Sequence, residues 1–482
     1  MSTKLVDVNS LYINGQWVQA ESGETFNVLN PGTGELVSTV PYGGEKEAKL
    51  AVDAAHEAFQ SWSQKTAYER SDLIKKWHDV ILEHKEEVAK VLVKEQGKPF
   101  AEALGEIQYA VSFLSWYAEE AKRIYGETIP ASSPDKRLLV IKQPVGVVAA
   151  ITPWNFPAAM ITRKIAPALA AGCTTVIKPA EQTPLTAIKL AELAEKVGIP
   201  KGVINVVAGD AKQIGQVWLD DERVAKITFT GSTAVGKLLM RGAANTVKKV
   251  SLELGGHAPV IVFADADLDK AVSGVISSKF RNAGQTCICA NRIYVAKSIL
   301  PTFVEKLREQ VATLKVGLGE DPASSIGPLI NEDAYKKVKN QLEDAVAKGA
   351  NIDLGGNRVS DFENGYFFEP TIISGIQDDM VMMQEETFGP VAPIIEFDDV
   401  DDVIKRANSS RFGLAAYVYT ENLKTAITAY EKLEFGIVGV NDGLPSTAQA
   451  PFGGVKESGL GREGGHHGLD EFLEIKYVSI KL

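Results

Sequence analysis

Cysteine is scarce in this chain: Cys173, Cys287 and Cys289 are the only three among 482 residues, alongside six histidines. So few sulfurs make no disulfide framework, and neither residue type falls at zinc-ligand spacing, so no metal site is expected. Positive charge is short as well. Lys and Arg number 51 against 62 Asp and Glu, a formal net charge of −11, which argues against a general attraction to nucleic acid or anionic lipid and favours a small-molecule partner. No apolar run reaches bilayer length, since the most apolar stretch, residues 145–161, is interrupted by Thr152, Asn155 and two prolines. The opening MSTKLVDVNS lacks the apolar core of a secretory signal, so a cytoplasmic location is expected.

What remains is a soluble globular composition, 45% hydrophobic and 23% charged, in a chain long enough for two or three domains. Asn14-Gly15 marks a hairpin. Apolar residues recurring at three and four predict helices over 45–64 and 67–96, and residues 127–144 read as an extended excursion with a strand at 138–141. From residue 145, short β-branched strands alternate with helices: VGVVAAI, TTVIKP, GVINVVAG, KITFTG and KKVSLELGG. Five strands with four crossover helices predict a doubly wound parallel sheet, which binds ligands at the carboxyl ends of its strands. A second α/β unit follows, with a helix in DADLDKAVSGVISSKF and strands NRIYVA, APIIEF, AAYVYT and GIVGV. The closing DEFLEIKYVSIKL alternates as an exposed strand, expected to pair with the 127–144 excursion of a neighbouring subunit.

The strand ends carry the chemistry. TGSTAVGKLL (230–239) sets glycine-freed N–H groups beside a helix N-terminus, which suits a phosphate. Leu238 stands where a P-loop needs Ser or Thr for magnesium, and no GxGxxG is present. ITPWNFP places Trp154 and Asn155 between two prolines, and VIKPAEQTP presents Lys178 and Glu181 at the same edge. In VSLELGGHAP, alternation turns Glu253 away from Val250, Leu252 and Leu254, so its carboxylate is paired, wet, or raised in pKa like a general base. His257 is read as a satisfied loop histidine. FRNAGQTCICANR (280–292) is polar on both sides of its thiols, with Arg281 at hand to favour a thiolate; a nucleophile and an inert buried thiol are the competing readings. Each of the other motifs also has a bland reading, as packing glycines, a Pro-bounded turn, a solvated lysine or a structural ion pair.

The motifs PWNFP, KPAEQTP, FTGSTAVG, LELGG, GQTC, EETFGP and PFGGVKESGLGRE run in order along nearly the whole chain. Through them the sequence resembles the aldehyde dehydrogenase superfamily, specifically its succinate-semialdehyde dehydrogenase branch. The resemblance implies an α/β fold: an atypical Rossmann doubly wound parallel sheet (1–126 and 145–254), an α/β catalytic domain (255–464) and a small β oligomerisation domain (127–144 and 465–482) in a homodimer or homotetramer. It makes Cys287 the nucleophile, Glu253 the base that hydrolyses a thioester, and Asn155 with the Cys287 N–H the oxyanion donors. Cofactor contacts fall on Trp154, Lys178, Glu181, Gly231, Ser232, Leu254, Glu386 and Phe388. The cofactor is NAD or NADP, with NAD favoured because Glu181 suits two ribose hydroxyls and repels a 2'-phosphate. Arg163, Arg281 and Ser446 would hold the substrate carboxylate. Pro445 beside Ser446 departs from the branch's wording, which leaves glutarate semialdehyde or a broader aldehyde range as alternatives. Cys289 is a candidate redox partner of Cys287. A non-catalytic nucleotide-binding protein and a cofactor-free thiol hydrolase are the rival readings.

Overall fold

The computed structural model describes residues 10–482, so the expectation about an N-terminal signal falls largely on residues outside the described ones. Five parallel strands, Val147–Ile151, Thr174–Lys178, Ile204–Val206, Val224–Thr230 and Lys249–Glu253, lie in the order third, second, first, fourth, fifth. They form because their β-branched and small residues are buried on both faces, as a helix-covered parallel sheet requires. The helix Ala159–Ala171 is buried along its whole length and ends at Gly172, whose φ of 100° is the left-handed conformation that glycine adopts without strain. Strand order reverses between Val147–Ile151 and Val224–Thr230, and a crevice opens at the carboxyl ends of such a pair.

The second sheet has seven strands, in the order Asn351–Leu354, Thr371–Ser374, Val391–Phe397, Ala290–Ala296, Ala258–Val262, Ala415–Tyr419 and Ile437–Val440. All pairs are parallel except the first. It folds around a hydrophobic cluster of its own. Only residues 254–257 separate the end of Lys249–Glu253 from the start of Ala258–Val262. The carboxyl edge of the first sheet therefore faces the amino edge of the second.

Several expectations are corrected. The 67–96 helix is two helices, Ala67–Glu83 and Lys85–Gln96, because His84 leaves helical geometry (φ −104°, ψ 15°). A helix that periodicity did not reveal, Phe100–Glu120, follows Gly97 and Pro99. The strand expected at 138–141 runs over Lys136–Pro144. The terminal strand Leu473–Lys481 pairs antiparallel with Lys136–Pro144 of its own chain over nine positions, not with a neighbour's, because Phe472 O accepts from Val145 N at 3.1 Å and starts the two strands side by side. Gly459–Leu460, assigned from sequence to the second unit, instead extends the first sheet beside Lys249–Glu253. Among the described residues no helix is long and apolar enough to cross a membrane.

Candidate active site

Two loops that meet at the candidate site both enter the second sheet. Residues 281–289 lead into Ala290–Ala296 and carry Cys287; residues 254–257 lead into the adjacent Ala258–Val262. The loops touch so closely that a Cβ on Gly256 would stand 2.0 Å from the Cys287 carbonyl oxygen. Glycine is required there for space. Cys287 is partly exposed, whereas Cys173 and Cys289 are buried. Asn155, at the switch point, donates from Nδ2 to Gln285 O at 3.0 Å and so joins the first sheet's edge to the thiol loop. Its Oδ1 has no partner. The structure thus brings Asn155 and Cys287 to one place.

Glu253 ends the last parallel strand and is buried, with Oε2 unpartnered. Burial first, and the neighbouring Glu463 second, push its carboxyl well above the usual range, against the pull of Arg163 and Lys164. Of the fates considered for it, paired, wet or raised, the last is found. Burial pushes the Cys287 thiol up to about 12; Arg163 and Arg281 pull it down while Glu386 and Glu253 push it up. The expectation that Arg281 favours a thiolate is corrected to this extent: desolvation outweighs the arginines. His257 is buried, meets Met382 O through Nε2 at 3.0 Å and is held neutral by burial, its pKa down to about 3.

A cleft of about 280 Å³ opens between the sheets, lined by Trp154, Asn155, Gly231, Ser232, Leu254, Cys287, Glu386 and Phe388 together with Thr230, Lys337 and Thr387. The last three are not among the expected contacts; Thr230 and Thr387 lie within the TGSTAVGKLL and EETFGP motifs, whereas no motif marks Lys337. Trp154 and Phe388 meet edge to face at 5.5 Å. Glu386 accepts from Gly256 N at 3.1 Å, and burial raises its carboxyl to about 7. The donor set fits a dinucleotide: the Thr230 and Thr387 hydroxyls are buried without partners, and the exposed Ser232 caps the helix Thr233–Ala243, whose N-terminal N–H groups suit an anion. Lys178 and Glu181 lie outside this lining, at the end of the neighbouring strand, as an ion pair of 2.6 Å. Lys178 is buried, not solvated.

Arg163, Arg281 and Ser446 also lie outside the cleft lining, although both arginines act on the Cys287 sulfur. Arg163 is only 1% exposed. Its Nε faces Glu463 Oε2 at 2.6 Å, its guanidinium lies 4.0 Å from the Phe452 ring centre, and Nη2 has no hydrogen-bond partner. Arg281 lies over Phe156 at 5.2 Å and makes no ion pair among the described residues. Ser446 Oγ meets Tyr109 Oη at 2.5 Å, a partner on the unforeseen Phe100–Glu120 helix. The Cys289 sulfur accepts from Lys279 Nζ at 3.2 Å, and all three cysteines are free thiols.

The aldehyde dehydrogenase family model matches residues 17–478. The chain is 56% identical to a mitochondrial succinate-semialdehyde dehydrogenase of Oryza sativa subsp. japonica, over 97% of this chain and 88% of that protein. It is 53% identical to a succinate-semialdehyde dehydrogenase [NADP(+)] of Escherichia coli strain K12, over 98% of this chain and 97% of that one. A solved succinate-semialdehyde dehydrogenase from Burkholderia pseudomallei superposes with a TM-score of 0.98 at 51% identity, covering 100% of each chain.

Two outcomes follow from the seam. Gly256→Ala would push the Cys287 carbonyl aside, and a displacement of about 1 Å should lower kcat about 100-fold alongside an overpacking cost of about 1–3 kcal/mol in stability; an unaltered rate in the folded variant would show that the thiol loop is not set by this contact. With its pKa at about 12, the thiolate fraction of Cys287 grows about tenfold per pH unit below that value. Iodoacetamide should therefore alkylate the cofactor-free protein at a rate still climbing at pH 9, and a plateau near neutrality would contradict the burial argument.

Proposed function

The chain belongs to the aldehyde dehydrogenase family, and we propose that it oxidises succinic semialdehyde to succinate with NAD as the favoured cofactor. The coarser statement is that it is an aldehyde-oxidising enzyme dependent on NAD or NADP. The observation that carries the substrate assignment is the charge around the thiol: two guanidinium groups act on Cys287, one with an unpartnered buried Nη2 and one without an ion pair among the described residues. Guanidinium groups recognise a carboxylate through paired N–H donors, which an uncharged chain end cannot engage. In this reading Arg163, Arg281 and Ser446 take the distal carboxylate of the semialdehyde.

Chemistry then runs through this chain's own groups. Once its proton has passed to water, the Cys287 thiolate adds to the aldehyde carbon, forming the C–S bond while the carbonyl pair moves onto oxygen; the Asn155 Nδ2–H and the Cys287 main-chain N–H meet the developing charge. A nicotinamide dinucleotide, when bound, supplies the hydride acceptor, with Trp154, Gly231, Ser232, Leu254, Glu386 and Phe388 holding it and Lys178 and Glu181 at its adenosine ribose. The acyl group left on sulfur is released when Glu253 takes a proton from water, the hydroxide adds to the thioester carbon, and the C–S bond breaks. Glu253 acts only when deprotonated. Because its folded pKa is raised, hydrolysis gains rate as pH rises through that value.

The NAD preference rests on Glu181, whose carboxylate accepts from two ribose hydroxyls and repels a 2'-phosphate. The chain would divide by role at the boundaries stated above, except that Gly459–Leu460 joins the dinucleotide-binding sheet. Copies would assemble through the three-stranded sheet, where Ile475 and Tyr477 are 73% and 59% exposed. A Cys287–Cys289 disulfide under oxidation belongs to this proposal too, and it requires the Cys289 sulfur to leave Lys279.

Steady-state rates decide the substrate. Succinic semialdehyde should exceed butanal in kcat/KM by roughly 10- to 100-fold, the worth of charged hydrogen bonds, and NAD should exceed NADP at equal concentration. Equal values for the two aldehydes would overturn the arginine reading, and a higher value for glutarate semialdehyde would move the assignment to the longer acid. For the base, Glu253→Gln should give a burst of reduced cofactor followed by slow turnover, whereas a linear full-rate progress curve would remove Glu253 from the hydrolysis.

A further inference from the structure

The buried polar groups behind the thiol loop form a connected set that the reaction sequence above does not use. Lys98 lies just before the helix Phe100–Glu120, with its side chain only 1% exposed. Its Nζ is 2.5 Å from Glu106 Oε2, donates to the Asn155 main-chain oxygen at 2.8 Å, and stands 4.1 Å from the Phe156 ring centre. The other oxygen of Glu106 accepts from Ala158 N at 2.8 Å and Ala159 N at 3.3 Å, the start of the helix that follows Asn155. Lys98 and Glu106 therefore hold the 155–159 segment at both ends.

The thiol loop is held from the same stretch. The Asn155 oxygen that accepts from Lys98 also accepts from Asn282 Nδ2 at 2.9 Å. Asn282 in turn takes Gln96 Nε2 on Oδ1 at 2.9 Å and donates its main-chain N–H to Glu102 Oε2 at 2.9 Å. Gln96 Oε1 accepts from Lys98 N at 3.0 Å, closing the circuit. Asn282 and Ala283 have φ of 53° and 54°, a left-handed conformation that costs an alanine energy and persists only where surrounding contacts over-determine it. With two donors on its carbonyl, Asn155 cannot rotate its peptide, and Nδ2 is aimed by Gln285 O.

We propose that Lys98, seated on Glu106, is a positioning residue for the oxyanion hole, acting through the Asn155 carbonyl to fix where the Asn155 carboxamide meets the reacting oxygen. The proposal rests on Asn155 being the oxyanion donor. A buried ion pair is poor as a stabilising device, since well-packed apolar residues do as well or better. Its value lies in direction. A charge-assisted donor on one carbonyl sets the orientation of a peptide to a fraction of an ångström, the tolerance that catalysis demands of an oxyanion donor.

The test is a double-mutant cycle on the full-length enzyme with its nicotinamide cofactor. Lys98→Met/Glu106→Gln removes the charge pair while leaving an acceptor for Ala158 N, and it is measured alone and on an Asn155→Ala background by the rate of the first turnover. The pair variant should slow that step about 10- to 100-fold with KM for the dinucleotide within about twofold, and the same change should cost less than about threefold once Asn155 is alanine. An equal loss on both backgrounds would assign Lys98 a structural role and overturn the proposal. An Asn155→Ala protein at full rate would instead overturn the oxyanion assignment beneath it. Should the pair variant not fold, Asn282→Gly, which suits the left-handed φ and removes the second donor to the same carbonyl, is carried through the same cycle: loss only when Asn155 is present supports the circuit, and an additive loss refutes it.

Discussion

The hydrogen bond from Asn155 Nδ2 to Gln285 O spans two sheets that fold around separate hydrophobic clusters. A catalytic arrangement made from two such units needs their edges held to a fraction of an ångström, and apolar packing alone is too tolerant for that. Here the edges are pinned by polar contacts of defined direction. Asn155 reaches Gln285 from one sheet, Gly256 admits the Cys287 carbonyl without a clash, and the Gly256 N–H donated to Glu386 Oε1 ties in a third loop. Each is a backbone contact or ends on one. The thiol sits where these constraints converge.

Burying this seam has an electrostatic consequence. Desolvation is the first cause of the upward shifts at Cys287, Glu253 and Glu386, so burial in the ligand-free site favours the protonated forms. Keeping the thiol and the Glu253 carboxyl neutral avoids stacking uncompensated negative charges within one cleft. The permanent charges are placed behind: Glu463 lies between Arg163 and Lys164, buried with both. Breaking such a triad at one member leaves an unpaired buried charge, which is far more costly than never having had the pair. Glu463 also raises Glu253, so the carboxylate that pairs with Arg163 shifts the proposed base as well.

The parallel sheet was legible because its strands are short, β-branched, buried on both faces and punctuated by glycines at the helix ends; Cys287, Glu253 and Asn155 stood out because each interrupts an apolar or helical pattern at a strand end. Other parts follow no local period. His84 breaks a helix whose apolar spacing runs straight through it, since the break lies in one residue's torsions. The partner of the terminal strand is a matter of three-dimensional proximity, and alternation shows only that some partner is needed. Lys98, Glu102 and Glu106 recur every four residues, the spacing of one helix face. That spacing of charges resembles a solvated stripe, and only an apolar sequence around it, KPFAEALGEI, hints that the stripe is turned inward.

In the proposed function, recognition of an acidic substrate and activation of the thiol would draw on the same two guanidinium groups, and the two demands would compete. A carboxylate bound by Arg163 and Arg281 cancels part of the positive potential that lowers the Cys287 pKa, while a thiolate nearby weakens the hold on the carboxylate. Distance relieves the conflict in part, because the Coulomb interaction falls with separation and the distal carboxylate of a four-carbon semialdehyde stays a few carbons from the sulfur. Glu463 relieves part of the rest on one side: shared between Arg163 and Lys164, it offsets some of the Arg163 charge in the absence of substrate, so binding there would change the local field less than at a free guanidinium. Arg281 makes no ion pair among the described residues, although Glu102 lies within its field, so a carboxylate bound there would meet less compensation than at Arg163, while Arg163 remains the stronger influence on the thiol. On the proposed substrate assignment the two arginines would therefore differ in setting, Arg163 sharing Glu463 with Lys164 and Arg281 making no ion pair among the described residues.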